Sequence, residues 1–434
     1  MDDLASLRLT PMPDAVSVID PRHFAFAYLS SRATDLGFVG RFEATVWYNG
    51  HREARTFRRS GWERSVFDDD RLAATGVRLS ATTVPYRRHT LSVAADAQAE
   101  GADSKRWEVR DDRSIWWQRG RFPVGTRSRL LAVSVADSWQ VAETITLKGD
   151  LRFMARKIHS AYGPSVFGLS GLVGLVNRWY SGFSWETGLT KRFESGLSLS
   201  GSVSRGFRAP GLDDVVANAS WRNGRDVPNP DLGSERATQL EIAGQFTGRH
   251  NTFGAAIFHT RYGDLIRRDW FEPGPDGLVA TGEDLYQFRN LESASVSGGE
   301  VGMTTRFSTS WDVDVEVAGR AVMHWWHAAE NAVPRYLPPV VARLGTRFSR
   351  GLIWVEPYAG FSSRSSAVQY TVAGAVSDES AAWITLNVRG GARAGERLAF
   401  AAAVENIGDV RYHEHGSYIR SPGRNLVLSV SYGF

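Results

Sequence analysis

The chain has 434 residues, including 43 Gly, 15 Trp, 13 Tyr and 22 Phe, and no Cys. No apolar run reaches the roughly 18 residues of a membrane-spanning helix; Val166–Val176 comes nearest and holds three glycines. A net charge of +4 from 51 basic and 47 acidic residues gives nucleic-acid binding no support, and the lack of cysteine excludes disulfides and thiolate metal sites. A hydrophobic content of 42% is then compatible with a soluble protein or with a barrel whose strands bury only every second residue.

In chain order, the start Met1-Asp2-Asp3-Leu4 has neither the basic nor the apolar region of an export signal, and residues 1–22 are expected to be irregular. Residues 23–434 are expected to form one strand-rich domain. Near Thr144, Ile145, Leu147, Gly149, Leu151 and Phe153 alternate with Thr146, Lys148, Asp150 and Arg152. After Trp311, Val313, Val315, Val317, Gly319, Ala321 and Met323 share one face, opposite Asp312, Asp314, Glu316, Ala318 and Arg320. At the end, Leu426, Leu428, Val430, Tyr432 and Phe434 oppose Val427, Ser429, Ser431 and Gly433. A period of two is the signature of strands with two unlike faces.

The connections decide which β-fold this is. Short turns are expected at Asn49-Gly50, Pro85-Tyr86-Arg87-Arg88, Glu194-Ser195, Gly248-Arg249, Thr309-Ser310 and Ser349-Arg350. Asn-Gly is the strongest hairpin signal among them, since both positions suit positive φ. Long connections are expected near 101–126, 155–177, 206–233, 263–285, 364–381 and 407–423. Short turns at one rim and long loops at the other predict an all-β transmembrane antiparallel barrel of about 18 strands, with extracellular loops and periplasmic turns. Trp185, Phe193, Trp311, Trp325, Trp326, Tyr432 and Phe434 sit near strand ends, where an aromatic girdle belongs; ordinary sheet-core aromatics are the plainer alternative.

Four local patterns carry a family resemblance. They are Ser204-Arg205-Gly206-Phe207-Arg208-Ala209-Pro210 with Asn229-Pro230-Asp231-Leu232-Gly233-Ser234-Glu235, Glu241 and Gly244; Phe258 to Ile266; Asn290-Leu291-Glu292-Ser293-Ala294 with Gly298 and Glu300; and Glu405-Asn406-Ile407-Gly408-Asp409 with Tyr412, Pro422-Gly423-Arg424 and terminal Phe434. In this order and spacing they resemble the barrel of TonB-dependent outer-membrane receptors over roughly the last 230 residues. Gly233-Ser234 departs from the family's usual Lys-Pro. The resemblance implies a 22-stranded barrel with a plugged lumen, of which the C-terminal portion is present here and the plug and first strands are not. It also implies the outer membrane of a Gram-negative bacterium, contact with its lipid, TonB and its inner-membrane energising complex acting through the N-terminal part, and barrel-assembly machinery reading Phe434.

The motif residues Phe207, Arg208, Ala209, Pro210, Asn229, Pro230, Asp231, Leu232, Glu235, Glu241, Asn290, Ala294, Glu300, Asn406, Tyr412, Gly423, Arg424 and Phe434 are read as architectural. Candidate ligand-binding residues are Trp221, Arg222 and Arg225, because Arg with Trp can grip an anionic or aromatic ligand. His413 and His415 join them as a His-x-His; with no third ligand evident, no metal site is assigned. Lys148, Asp150, Arg152, Asp314, Glu316 and Arg320 are expected to face the lumen. No nucleophile elbow, catalytic triad or phosphate loop is found, so no enzyme activity and no cofactor are expected. The resemblance implies energised uptake of a scarce small molecule or metal chelate such as a ferric siderophore, a cobalamin or an oligosaccharide. The alternatives are a passive porin-like channel and a truncated barrel that does not transport.

Overall fold

Alternation that persists for 10 to 20 residues leaves an extended backbone one polar and one apolar face, and such ribbons become stable only when every edge is paired. The computed structural model describes residues 16–58, 63–162, 174–218, 220–221, 224–272, 284–328, 340–365, 368–371, 374–377, 380–417 and 420–433. Its strands are β1 (Val16–Leu36), β2 (Val39–Arg58), β3 (Arg64–Thr83), β4 (His89–Arg110), β5 (Ile115–Arg119), β6 (Thr126–Ala142), β7 (Ile145–Tyr162), β8 (Gly174–Arg192) and β9 (Leu197–Arg208). A one-turn helix α1 (Leu212–Val216) precedes β10 (Ser220–Trp221), β11 (Gly224–Val227), β12 (Glu235–Thr247), β13 (Asn251–Glu272), β14 (Leu285–Ser308), β15 (Asp314–Ala328), β16 (Val340–Arg350) and β17 (Ile353–Ser362). Then come β18 (Val368–Thr371), β19 (Gly374–Ser377), β20 (Trp383–Ala394), β21 (Leu398–Glu405) and β22 (Asn425–Tyr432).

Of the 20 strands in the main sheet, β5, β10 and β11 lie outside the meander, and the remaining 17 pair antiparallel in chain order from β1 to β22. The strands β18 and β19 form a separate hairpin. The connections 37–38, 84–88, 143–144, 193–196, 248–250, 309–313, 351–352 and 395–397 are short, and after β3 they alternate with longer ones up to the 406–424 loop; the β2–β3 connection, 59–63, is as short as 84–88. Each strand reverses direction, so the two classes fall on opposite rims, as an outer-membrane barrel requires.

Two expectations need correcting. Asn49-Gly50 is not a turn: Asn49 pairs with Phe26 and Ala74, and Gly50 with Ala25 and Ala73, in mid-strand. Local turn preference loses to pairing on both sides, while the 17 meander strands among the described residues agree with the expected about 18. Strands also run further than the loop boundaries suggest. The strand β4 continues to Arg110, β7 to Tyr162 and β13 to Glu272, and β1 begins at Val16, inside the segment expected to be irregular. At about 3.3 Å per residue a strand of this length reaches roughly twice the hydrocarbon thickness.

The two faces are unlike throughout. Outward-facing Leu131, Val133 and Val135 on β6 neighbour Leu151 and Phe153 on β7, and these neighbour Phe183 and Trp185 on β8. All are exposed in the isolated chain, as suits a lipid-facing band. Leu426, Leu428, Val430 and Tyr432 continue it on β22. The opposite face is charged: Arg152 pairs with Asp96 at 3.0 Å, and Ser308 with Asp314 at 2.6 Å. Of the aromatics expected in a girdle, Trp326 departs: it pairs with buried Val296 and sits 6.0 Å from Tyr262, on the inward face. Phe434 lies outside the described residues.

Candidate functional site

The long connection between β9 and β12 folds inward instead of standing free. After Ala209-Pro210 the chain forms α1, whose Leu212, Val215 and Val216 are buried against Ile158 of β7, Val176 and Tyr180 of β8, and Phe122 from the β5–β6 connection. Leu232, 1% exposed, closes the same cluster. This is the main apolar core among the described residues, and it sits at the long-loop rim on the inner wall. The loop sequence explains the fold: apolar residues at 212, 215 and 216 put one side of a single helical turn on the wall, while Asp213 and Asp214 stay at its N-terminal turn, where negative charge is favoured.

The motif residues hold this cap in place. Phe207 lies over Gly182, where an added Cβ would come within 2.4 Å of its ring. Arg208 pairs with Asp214 at 2.8 Å and Glu235 at 3.4 Å, and Glu235 also accepts from the Ile266 amide at 2.9 Å. The Pro210 carbonyl accepts from Arg156 and the Pro230 carbonyl from Arg178. Asn229 donates to the Phe288 carbonyl at 2.7 Å and accepts from the Asp231 amide at 3.0 Å. Asn290, in the third motif, clamps Gly233 from both sides, accepting from its amide at 2.7 Å and donating to its carbonyl at 3.2 Å. Ala294 is buried on the same strand, while Glu300 is exposed and Glu241 accepts from Gln239 at 3.2 Å.

Behind the cap lies a polar lock that no motif announced. Asn218, 2% exposed, donates to the Arg119 carbonyl at 3.3 Å and accepts from Arg225 Nε at 2.5 Å. Arg119 in turn donates to the Val216 carbonyl at 3.2 Å. Arg225 is therefore directed into the wall. Desolvation, with Arg106 and Arg119 nearby, pulls its pKa down to about 9, against the pull of Asp68 and Glu108. It stays a cation near neutral pH. Next to it, Asp226 binds Arg268, whose guanidinium lies 3.8 Å above the Tyr286 ring, and β11 adds in parallel to β14. Only the backbone of Trp221 is described, paired with Gly224, and Arg222 lies outside the described residues.

A second inward-facing feature sits on β16, β17 and β20. Glu356 is surrounded by Arg343 at 3.3 Å, Arg347 at 2.8 Å and Arg389 at 2.7 Å. Arg343 covers the Tyr358 ring at 4.0 Å and Arg347 the Trp354 ring at 4.2 Å. One carboxylate for three guanidiniums leaves a cationic, aromatic-lined patch on the wall. All five partners share the inward parity of their strands, but only the strand register brings them together.

The last loop is built differently. Asn406, at φ 50° and 3% exposed, accepts from the Val410 amide at 2.9 Å, donates to the Val410 carbonyl at 2.8 Å, and takes Asn387 Oδ1 on its own amide at 2.8 Å. Asp409 accepts from the Arg424 amide at 2.9 Å, and Arg424 Nε reaches the Ile407 carbonyl at 3.0 Å. A Cβ at Gly423 would sit 2.3 Å from Asp409 Oδ1 and displace the carboxylate that holds the Arg424 amide. Tyr412 packs against Trp383 with ring centroids 4.4 Å apart and planes tilted by 36°. His415 is buried and its Nδ1 lies 3.2 Å from Ser380 Oγ; His413 is half-buried.

A 17-strand antiparallel meander with a motif-bearing loop folded onto its inner wall has few possible relatives. The family model for the TonB-dependent receptor-like β-barrel matches residues 13–407. The chain belongs to the TonB-dependent receptor β-barrel family. Its place is the outer membrane, and members of this family are receptors and transporters rather than enzymes. Among curated relatives, hemoglobin-haptoglobin utilization protein B of Neisseria meningitidis serogroup C is 29% identical over 149 residues, 32% of this chain and 18% of that protein. Hemoglobin-binding protein A of Haemophilus influenzae is 31% identical over 134 residues, 29% of this chain and 13% of that protein. The matched stretches thus span under a fifth of these relatives' lengths. Among solved structures, the copper transporter OprC aligns at a TM-score of 0.79 with 16% identity, covering 96% of this chain and 67% of its own. The Serratia marcescens hemophore receptor HasR, solved with its hemophore and heme, aligns at 0.66 with 13% identity, covering 97% and 66%.

Proposed function

We propose that this TonB-dependent receptor barrel serves energised uptake of a scarce ligand from outside the cell. The observation that carries the reading is the cap at residues 209–234. It is folded into the long-loop rim and locked to the wall by Asn218, Asn229, Asn290 and Leu232. A long loop seated on the inner wall by a packed apolar cluster gives a receptor a pre-formed surface at the rim against which to hold its ligand. The mechanism is binding followed by gating: loops capture the ligand, and TonB, acting through a plug on the N-terminal side, clears the path. The motif residues named above are architectural in this reading, and Trp221, Arg222, His413 and His415 are the residues offered to ligand. Arg225 serves the lock.

The ligand class is a metal chelate, a cobalamin or an oligosaccharide. The names of the curated relatives favour an iron source, with haem iron standing beside ferric siderophores. The test is growth of the host strain with and without the gene on single defined iron sources, repeated in a TonB-deficient background. Loss of growth on one source in both backgrounds supports the reading. Uptake that survives loss of TonB, together with liposome swelling by the purified chain, would replace it with a passive channel.

A further inference from the structure

We propose that the loop joining β21 to β22 holds a two-imidazole site for a divalent first-row transition metal ion, built from His413 and His415. Three observations converge on it. First, among the described residues His413 Nδ1 and His415 Nε2 are buried with no hydrogen-bond partner. A buried nitrogen left unpaired costs about 1–3 kcal/mol, so such groups ask for an occupant. Second, His415 is 9% exposed, and its other nitrogen, Nδ1, lies 3.2 Å from Ser380 Oγ. When Nδ1–H donates to that hydroxyl, Nε2 carries the free lone pair, and the ring is held in the ligating tautomer. A metal-binding histidine is commonly oriented by such a second hydrogen bond. Third, the loop is already shaped. The Tyr412–Trp383 ring contact holds the residue before His413, the Ser421 amide donates to the Tyr412 carbonyl at 3.0 Å, and the Ser417 amide donates to the Glu414 carbonyl at 2.9 Å.

No group of three or more His, Asp or Glu that could hold a metal occurs among the described residues. The protein therefore supplies two nitrogens and leaves the other coordination positions open, unlike a closed structural site. Imidazole suits copper, nickel and zinc, and copper binds most tightly in that series. The open positions are then available to water or to donor atoms of a chelating small molecule. The sequence pattern alone did not reach this point, because a His-x-His without a third ligand is ordinary. The burial and the Ser380 contact distinguish it.

The experiment titrates Cu(II) into the purified full chain in detergent and follows binding by calorimetry and electron paramagnetic resonance. One equivalent should bind, with superhyperfine splitting from two nitrogens. His413→Gln and His415→Gln should each weaken binding by about 10-fold or more, and Ser380→Ala by about 10-fold through loss of ring orientation. His250→Gln, exposed on the opposite rim, should change nothing. Unaltered heat-modifiable migration of each variant shows that the barrel is intact. Absence of saturable binding, or equal binding by the H413Q/H415Q double variant, overturns the site. An unchanged S380A affinity overturns the orienting role of Ser380.

Discussion

The 209–234 and 406–424 loops lie on the same rim and both carry family motifs, yet they are held by different physics. The first buries an apolar face on the wall and spends its polar groups on partners from distant strands: Arg119, Arg156, Arg178, Phe288 and Asn290. The second is held mainly by its own stem, through Asn406, Asp409 and Arg424, with Asn387 and Trp383 as neighbours. The consequence is opposite in kind. In the first loop the inward-directed Arg225 is engaged by Asn218. In the second, two imidazole nitrogens remain unpartnered among the described residues. A loop packed across the wall engages its charged group there; one held mainly by its own stem leaves donor atoms unpartnered among the described residues.

The largest expected effect comes from breaking the apolar seat of the first loop. Leu232→Ala removes a side chain that is 1% exposed. A buried Leu→Ala change costs about 2–5 kcal/mol. The cost should appear as local opening, read by faster trypsin cleavage within 209–234, with heat-modifiable migration of the barrel unchanged. Equal protection of wild type and variant would show that the cap is not held by this core.

Asn406→Ala tests the second loop. It removes three side-chain hydrogen bonds, two with Val410 and one to the Pro422 carbonyl, and leaves alanine at φ 50°, for about 1–3 kcal/mol. Hydrogen exchange should rise across 406–424 and stay unchanged across 209–234. Asn406→Gly should recover the backbone share alone. A rise in both loops would mean that they act as one unit, contrary to the comparison.

The difference between the loops also explains what was legible in the sequence. Face parity, the alternation of short and long connections and the inner charges at Arg152 and Asp314 follow from a period of two and were readable. The motif positions were readable as a set. Strand ends were not: nothing near Asn49-Gly50 reveals that β1 and β3 pair with it on its two sides, since the partners Ala25, Phe26, Ala73 and Ala74 are distant in the chain. Asn218 was missed for the same reason. It is one asparagine in a polar loop until the carbonyls of Arg119 and Gly120, about a hundred positions earlier, fold against it. The triple-arginine setting of Glu356 draws on three strands, and only their register unites it.

Motif prominence and energetic weight then come apart, and Arg208→Lys separates them with the smallest expected effect. Arg208 is the most conspicuous charge of the first motif, and it joins α1 to β12 through Asp214 and Glu235. Its side chain is 47% exposed, and one of its two contacts is 3.4 Å long. Exposed ion pairs contribute about 0.2–1 kcal/mol, because water screens them and two long side chains lose freedom. Lysine keeps the charge and gives up the forked geometry, so the loss should fall inside that range. The same trypsin assay should place it well below Leu232→Ala, and raising salt should shrink the difference from wild type further. A loss as large as that of Leu232→Ala would mean that the ion pair, and not the buried cluster around Val215 and Leu232, seats the cap.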